Sequence, residues 1–168
     1  MSSPADRAGD GPLPTVSETS SFTVREDFDG TFEDLVLEVQ LEHELGGFET
    51  VATTRIDELV AGALDEEVTR TAMVLVCHAE IARDAVEISP LAAGLFPCTT
   101  LVYEDEEVGH WHVYHASATK ATRDLGFFPE AADAVDDLVT TTEERMDAVW
   151  DELERRLAMD AGTHDEHR

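Results

Sequence analysis

The stretch that decides the fold is Thr71-Ala72-Met73-Val74-Leu75-Val76-Cys77, the most apolar strand pattern in the chain. Such a run, uncharged and rich in valine and leucine, is typical of a central strand that is buried on both faces of a sheet. Residues 98–103 and 110–115 have the pattern of two further strands, and the segment 105–109 supplies a hairpin turn between them. The sequence therefore predicts that the second half of the sheet is built outward from residues 71–77.

The N-terminal half adds two strands and two helices to this sheet. Strands are predicted at 21–25 and 50–56, where β-branched residues are frequent. Thr31 followed by Asp34 forms a capping box for a helix that ends at Gly46-Gly47, with a short helix at 58–64. About five strands are therefore expected in an α+β domain.

Helical patterns return after residue 78. One helix is predicted at 79–87, closed by Ser89-Pro90. Two C-terminal helices are predicted, one with Pro129 in its first turn and the other capped by Thr141 with Glu144. The second has an apolar stripe made of Met146, Val149, Trp150, Leu153 and Leu157.

The two ends of the chain differ in composition from the part between them. Residues 1–20 are rich in Ser, Pro, Gly, Asp and Thr and are predicted to form a disordered N-terminal arm. Residues 160–168 are similarly polar and are predicted to form a disordered C-terminal tail. Residues 21–159 are then a single α+β domain.

The charge balance limits the partners of the protein. Thirty-eight Asp and Glu against 11 Lys and Arg give a formal net charge of -27, which indicates a halophilic protein, because molar salt shortens the screening length to about 3 Å. So acidic a surface repels nucleic acid and anionic membranes. There is no run of about 20 apolar residues that could span a membrane and no secretory leader pattern, so we expect a cytoplasmic location.

Cysteine and histidine are the candidate site residues. Cys77 and Cys98 do not form a disulfide framework, and the chain has no C-x-x-C or H-E-x-x-H spacing. Free cysteine is also among the most buried residue types, so a purely structural role for at least one thiol is the alternative. Alternation places His110 and His112 on one face of their strand and His115 on the other.

Two segments carry a resemblance to a known family. Val76-Cys77-His78-Ala79 and Leu95-Phe96-Pro97-Cys98 through Val102-Tyr103-Glu104 resemble the signature of the domain of unknown function 302 family. That family usually has Asn-Pro where this chain has His78-Ala79. The resemblance covers about residues 21–158.

The resemblance implies a fold of the TATA-binding-protein class. This order is a strand, a helix, four further antiparallel strands and a terminal helix, with an extra helix between the third and fourth strands and the helices on one face of the sheet. The family has no assigned biochemistry, so it supplies no catalytic residue.

An antiparallel sheet of this order places both cysteines at one end. A hairpin that pairs Tyr103 with His110 would put Cys98 opposite His115, so Cys77, His78, Cys98 and His115 are the predicted ligand-binding residues. Cys77, Cys98 and His115 are the predicted metal ligands, since thiolate and imidazole suit zinc, copper or haem iron.

Three functions follow from these residues. The first is non-enzymatic binding of a small ligand, metal or haem near the two cysteines. The second is a structural or interaction protein that acts as a homodimer, in which the amphipathic C-terminal helix or the exposed sheet buries Trp150 or Trp111. The third, a thiol redox protein, is disfavoured because the surrounding carboxylates oppose thiolate formation.

Overall fold

The computed structural model describes residues 20–159, so the predicted arm, apart from Ser20, and the predicted tail lie outside the described residues. Five strands form one antiparallel sheet in the order β1-β5-β4-β3-β2, which confirms the predicted α+β fold. The elements are β1 (Ser20–Thr23), α1 (Phe32–Leu45), β2 (Glu49–Arg55), α2 (Ile56–Leu64), β3 (Thr71–Cys77), α3 (Ala79–Ile88), a 3-10 turn (Pro90–Leu95), β4 (Cys98–Asp105), β5 (His110–Ala116), α4 (Ala118–Asp124), a 3-10 turn (Pro129–Ala131) and α5 (Ala132–Leu157).

The prediction that residues 71–77 are central and buried on both faces is wrong in part. The central strand is β4, and β3 lies beside it. Ala72, Val74 and Val76 are buried, whereas the alternating residues of β3 are only partly buried. The reason is that α1, α3 and α5 cover one face of the sheet and leave the other face, which we call the open face, partly exposed. The core therefore lies between the sheet and one layer of helices.

Helix α1 begins and ends as the sequence predicts. The Thr31 backbone N–H donates to Asp34 Oδ2 at 2.8 Å and Thr31 Oγ1 accepts from the Asp34 N–H at 3.1 Å, which completes the capping box. Gly46 is the C-terminal cap, and Gly47 follows it with a φ of 89°, a value that favours glycine. Val39 and neighbouring apolar residues face the sheet and are buried.

The C-terminal helices differ from the prediction. Residues 132–157 form the single helix α5, and Pro129 starts the 3-10 turn that precedes it. Thr141 lies in the interior of α5 and so does not cap a helix. Its hydroxyl instead donates to the Asp137 carbonyl one turn earlier, at 3.1 Å. The predicted apolar stripe is buried throughout, so this helix face, including Trp150, is used within the fold.

A charged contact fastens α5 to α1. Arg156 donates to Glu42, which is only 5% exposed, and to Glu38 Oε2 at 2.7 Å. Arg156 thereby neutralises a carboxylate that would otherwise be buried alone between two helices. Within the described range, residues 20–159, no helix combines the length and the apolar composition that a membrane span requires.

Candidate functional site

The two cysteines lie at the same end of the sheet but on opposite faces. Val76 is paired with Cys98 in the β3–β4 register, and Cys98 points into the helix-covered core with 3% exposure. Cys77 is the next residue after Val76, so it faces the open side, where its cross-strand partner is Glu49. Both thiols are free. The structure therefore brings the cysteines into the same corner without placing them on one surface.

The environment of both cysteines disfavours the thiolate. Burial raises the pKa of the Cys98 thiol, and a hydrogen bond from the Ala118 backbone N–H acts in the opposite direction with a smaller effect. Burial and the nearby Glu49 carboxylate raise the pKa of the Cys77 thiol. Nucleophilic thiols have lowered pKa values, so neither cysteine has the surroundings of a redox-active one.

His78 has a structural role at the start of α3. Its Nδ1 accepts from the Glu80 backbone N–H at 3.3 Å and so caps the helix. The edge of its ring packs against Phe48, with 5.2 Å between the ring centroids. The cap and the ring contact account for a histidine immediately after β3.

His115 occupies a different register from the predicted one. It is paired with Thr100, and Tyr103 is paired with His112, a shift of two residues from the expected hairpin. The shift arises because β4 continues to Asp105, which pairs with His110 and leaves a shorter turn that closes at Gly109 with a φ of 71°. Because an even shift preserves alternation, His115 still shares the helix-covered face with Cys98.

A buried hydrogen-bonded relay connects His115 to α1. His43 Nδ1 lies 2.7 Å from the Val39 carbonyl oxygen, and His43 Nε2 lies 3.1 Å from Thr100 Oγ1. The same Thr100 oxygen lies 3.0 Å from His115 Nδ1. His43 and Thr100 are both 0% exposed and His115 is 3% exposed. Three polar side chains from α1, β4 and β5 therefore meet inside the core.

The Val39 carbonyl fixes the direction of every hydrogen bond in this relay. A carbonyl can only accept, so His43 Nδ1 carries its proton, and the neutral ring then has a bare Nε2 that accepts from the Thr100 hydroxyl. Because the Thr100 hydroxyl has donated its only proton to His43, Thr100 Oγ1 must accept a hydrogen bond from His115 Nδ1–H. His115 Nε2 is therefore a lone-pair acceptor, and it is a buried atom without a hydrogen-bond partner in the protein.

Burial keeps both imidazoles of the relay neutral. Loss of solvent lowers the pKa of His43, although the bond to Val39 opposes the effect. Burial lowers the pKa of His115 to about 3, with further contributions from His43 and the Lys120 ammonium. The assignment of His115 Nε2 as an acceptor therefore holds at neutral pH.

His115 lines a small cavity where β5, α4 and α5 meet. The cavity has a volume of about 20 Å³, which is enough for one water-sized group. Lys120 and Glu143 lie at this cavity and form an ion pair at 2.9 Å. The other lining residues are Ser20, Ser117, Thr142, Met146 and Asp147.

Comparisons with known proteins place this geometry in a family. The family model described as domain of unknown function DUF302 matches residues 22–153. The chain belongs to the DUF302 family. A comparison with curated proteins finds no match. The solved structure described as uncharacterized conserved protein DUF302 from Bacillus stearothermophilus is similar, with a TM-score of 0.64 and 15% sequence identity over 79% of this chain and 95% of that one. At this identity the similarity shows the fold alone.

The structure of this DUF302 domain does not bring the predicted metal ligands together on one face of the sheet. Cys77 lies on the other face of the sheet from Cys98 and His115, because its neighbour Val76 is the residue paired with Cys98. Among residues 20–159, no three His, Cys, Asp or Glu side chains are grouped so as to hold a metal ion. The cavity beside His115 is far smaller than a haem.

Two relay residues of this DUF302 domain, His43 and Thr100, were not predicted as site residues. His43 continues the spacing of Leu35 and Val39 by one further turn, which is the signal that places it on the buried face of α1. Thr100 alternates with Cys98 and Val102 on β4. Both positions could have been identified as buried from periodicity, but their contact joins residues that are far apart in the sequence.

Proposed function

We propose that this domain is a non-enzymatic binding protein for a small molecule that carries a primary amine, and that the amine enters the cavity beside His115. The observation that supports this is the lone pair on His115 Nε2, a buried acceptor with no partner, at a cavity of about 20 Å³. A buried polar atom without a partner costs about 1–3 kcal/mol, so a ligand that donates a hydrogen bond there is stabilised.

The groups around the cavity favour a donor with several N–H bonds. Thr142 gives its own proton to the Leu138 carbonyl at 2.8 Å, so its oxygen has only accepting capacity toward the cavity. Glu143 and Asp147 contribute two carboxylates against the single cation Lys120. An ammonium group matches these acceptors in charge, and its size matches the cavity.

The same residues argue against catalysis. With a pKa of about 3, His115 takes up almost no proton at neutral pH and is a poor general base. The raised pKa values of Cys77 and Cys98 remove the thiolate that a thiol redox protein requires. Binding through hydrogen bonds is the chemistry that these groups support.

The test compares methylammonium with tetramethylammonium, which has the same charge and no N–H donor. We expect methylammonium, titrated in molar NaCl, to shift the ring-nitrogen NMR signal of His115 Nε2, and tetramethylammonium to leave it unchanged. Equal responses to both ions, or no response to either, would contradict the proposal.

Two neighbouring threonines of α5 supply a matched pair of variants. Thr142→Val removes an acceptor at the cavity and should weaken methylammonium binding about tenfold or more, because a hydrogen bond to a charged group contributes about 1.5–3 kcal/mol. Thr141→Val removes a hydroxyl that has the same bond to its own helix but does not line the cavity. Equal weakening by both variants would show that the binding site lies elsewhere.

A further inference from the structure

The open face of the sheet is nearly free of charge in a chain dominated by carboxylates. The strand registers place 17 residues of β1 to β5 on this face, none of them Lys or Arg and only two of them acidic. The average of the whole chain would place about four acidic residues among 17. The two acids, Glu49 and Asp105, lie at opposite ends of the face and leave its centre neutral.

The centre of the open face is apolar and aromatic. Leu101 lies on the central strand β4, paired with Met73 on one side and Tyr114 on the other. The adjacent row contains Tyr103 stacked on His112, with 5.1 Å between the ring centroids. None of these residues is buried. A neutral, aromatic centre, with the two acids at opposite ends of the face, has the composition of a protein–protein interface core.

We propose that the open face is covered by a second copy of this chain in a two-fold symmetric dimer. Bringing any strongly acidic surface of the molecule against its copy would oppose many carboxylates, whereas the centre of this face opposes neutral groups. A dimer through the open face also keeps most of the negative charge of both copies in contact with solvent.

One row of cross-strand neighbours, which runs across the open face from β2 to β1, has the symmetry that a two-fold contact needs. In strand order from β2 to β1 it consists of Thr54, Met73, Leu101, Tyr114 and Ser21, with small hydroxyl residues at both edges and large apolar residues between them. An axis that lies in the interface along β4 reverses this row, so that Leu101 meets Leu101 and Met73 meets Tyr114 of the second copy.

The neighbouring rows fit the same axis. Reversal of one row places His112 against Thr71, and reversal of the other places Leu75 against Ala116. Each of these two pairs opposes a larger side chain to a smaller one, and Tyr103 on β4 meets its own copy at the axis, in two sheets packed face to face with nearly aligned strands. Asp105 also lies on β4, so the axis places it against Asp105 of the second copy, at the rim of the face, where molar salt screens the repulsion.

The size of the face is sufficient for a specific contact. Five strands spaced about 4.8 Å apart span about 24 Å, and about six residues along an average strand span about 20 Å. The flat area is then about 480 Å² for each copy, and the side chains increase it. Two copies therefore bury about 1,000 Å² or more, which reaches the lower limit for a stable interface.

Sedimentation equilibrium in molar NaCl tests the proposal. We expect the wild-type protein to be a dimer and Leu101→Glu to weaken dimerisation about a hundredfold or more, since the axis places two carboxylates together. Leu91→Glu is the control, because Leu91 is 78% exposed and lies away from the sheet. A wild-type monomer, or equal dimerisation of both variants, would overturn the proposal.

A charge pair tests the axis itself and covers the case in which Leu101→Glu fails to fold. Met73→Lys and Tyr114→Glu should each weaken the dimer, and the double variant should restore at least tenfold of the lost affinity, because the two positions meet across the axis. Additive losses in the double variant would refute this axis. Circular dichroism checks that each variant is folded.

Discussion

Replacing Thr100 with valine tests whether the relay stabilises the core. Valine has nearly the shape of threonine, so Thr100→Val removes the hydroxyl and leaves the packing almost unchanged. The substitution leaves two buried groups without a hydrogen-bond partner. They are the acceptor His43 Nε2 and the donor His115 Nδ1–H, which lie 3.1 and 3.0 Å from the threonine oxygen. At about 1–3 kcal/mol for each of the two groups left without a partner, we expect the free energy of unfolding to fall by about 2–6 kcal/mol.

The assay is urea denaturation in molar NaCl, followed by circular dichroism and tryptophan fluorescence. Thr100→Ser keeps the hydroxyl and loses one methyl group, so it should cost only about 1 kcal/mol. Thr99→Val is the control on the same strand, at a partly exposed position of the open face. If Thr100→Ser costs more than Thr100→Val, packing and not the hydroxyl stabilises this site, and the assigned relay is wrong.

Three further predictions follow from charges. The pKa of His115 is lowered by folding, from 6.5 to about 3, so its stabilising effect is complete above pH 6.5 and decreases as the pH falls toward 3. As the pH falls from 6.5 to 5, protonation of this histidine in the unfolded state should reduce the free energy of unfolding by about 2 kcal/mol. In urea titrations at a series of pH values, His115→Phe should lose this part of the pH dependence. An unchanged pH dependence would contradict the assignment of His115 as a neutral buried imidazole. Arg156→Met leaves the buried Glu42 carboxylate without its ion-pair partner and should cost about 1–3 kcal/mol in thermal or urea unfolding, because Arg156 itself is 38% exposed. Arg155→Met, whose ion pair with Glu152 is exposed, should cost less than about 1 kcal/mol, and similar costs for the two variants would refute the role of the Arg156–Glu42 pair. The net charge of -27 predicts that raising NaCl from about 0.1 M to about 1 M increases the free energy of unfolding, because the screening length falls from about 10 Å to about 3 Å, and a stability independent of NaCl would remove the halophilic interpretation.

The sequence predicts the elements of this fold better than their pairing. Local signals were sufficient for the Thr31 cap and for the strand that ends at Cys77. The hairpin register depends on the length of the turn before His110. The predicted and the observed pairings differ by two residues, and residues 105–109 contain no signal that distinguishes them. Thr141 was predicted to cap a helix, but a threonine hydroxyl can also donate to a backbone carbonyl one turn earlier inside a helix, as Thr141 does.

The site was harder to predict than the fold, for a physical reason. Cysteine and histidine attract attention by their chemistry, but alternation along β3 puts Cys77 on the face opposite to Cys98. Thr100 has no chemical signature, and His43 is a lone histidine on its helix; the two matter together only because the His43 side chain reaches from α1 to Thr100 on β4. Such a contact depends on the tertiary arrangement of the whole domain, and no local pattern encodes it.

The carbonyl of Val39 has an influence that extends beyond its own helix. It cannot donate a proton, so the ring of His43 cannot turn over without losing its bond, and neither Thr100 nor His115 can reverse on its own. A backbone oxygen on α1 thereby determines which nitrogen of a histidine on β5 remains unprotonated. A rotation of the His43 ring that broke the bond to this oxygen would let His115 exchange its tautomer and present a donor to the cavity, so the hydrogen-bonding character of the cavity is set from α1.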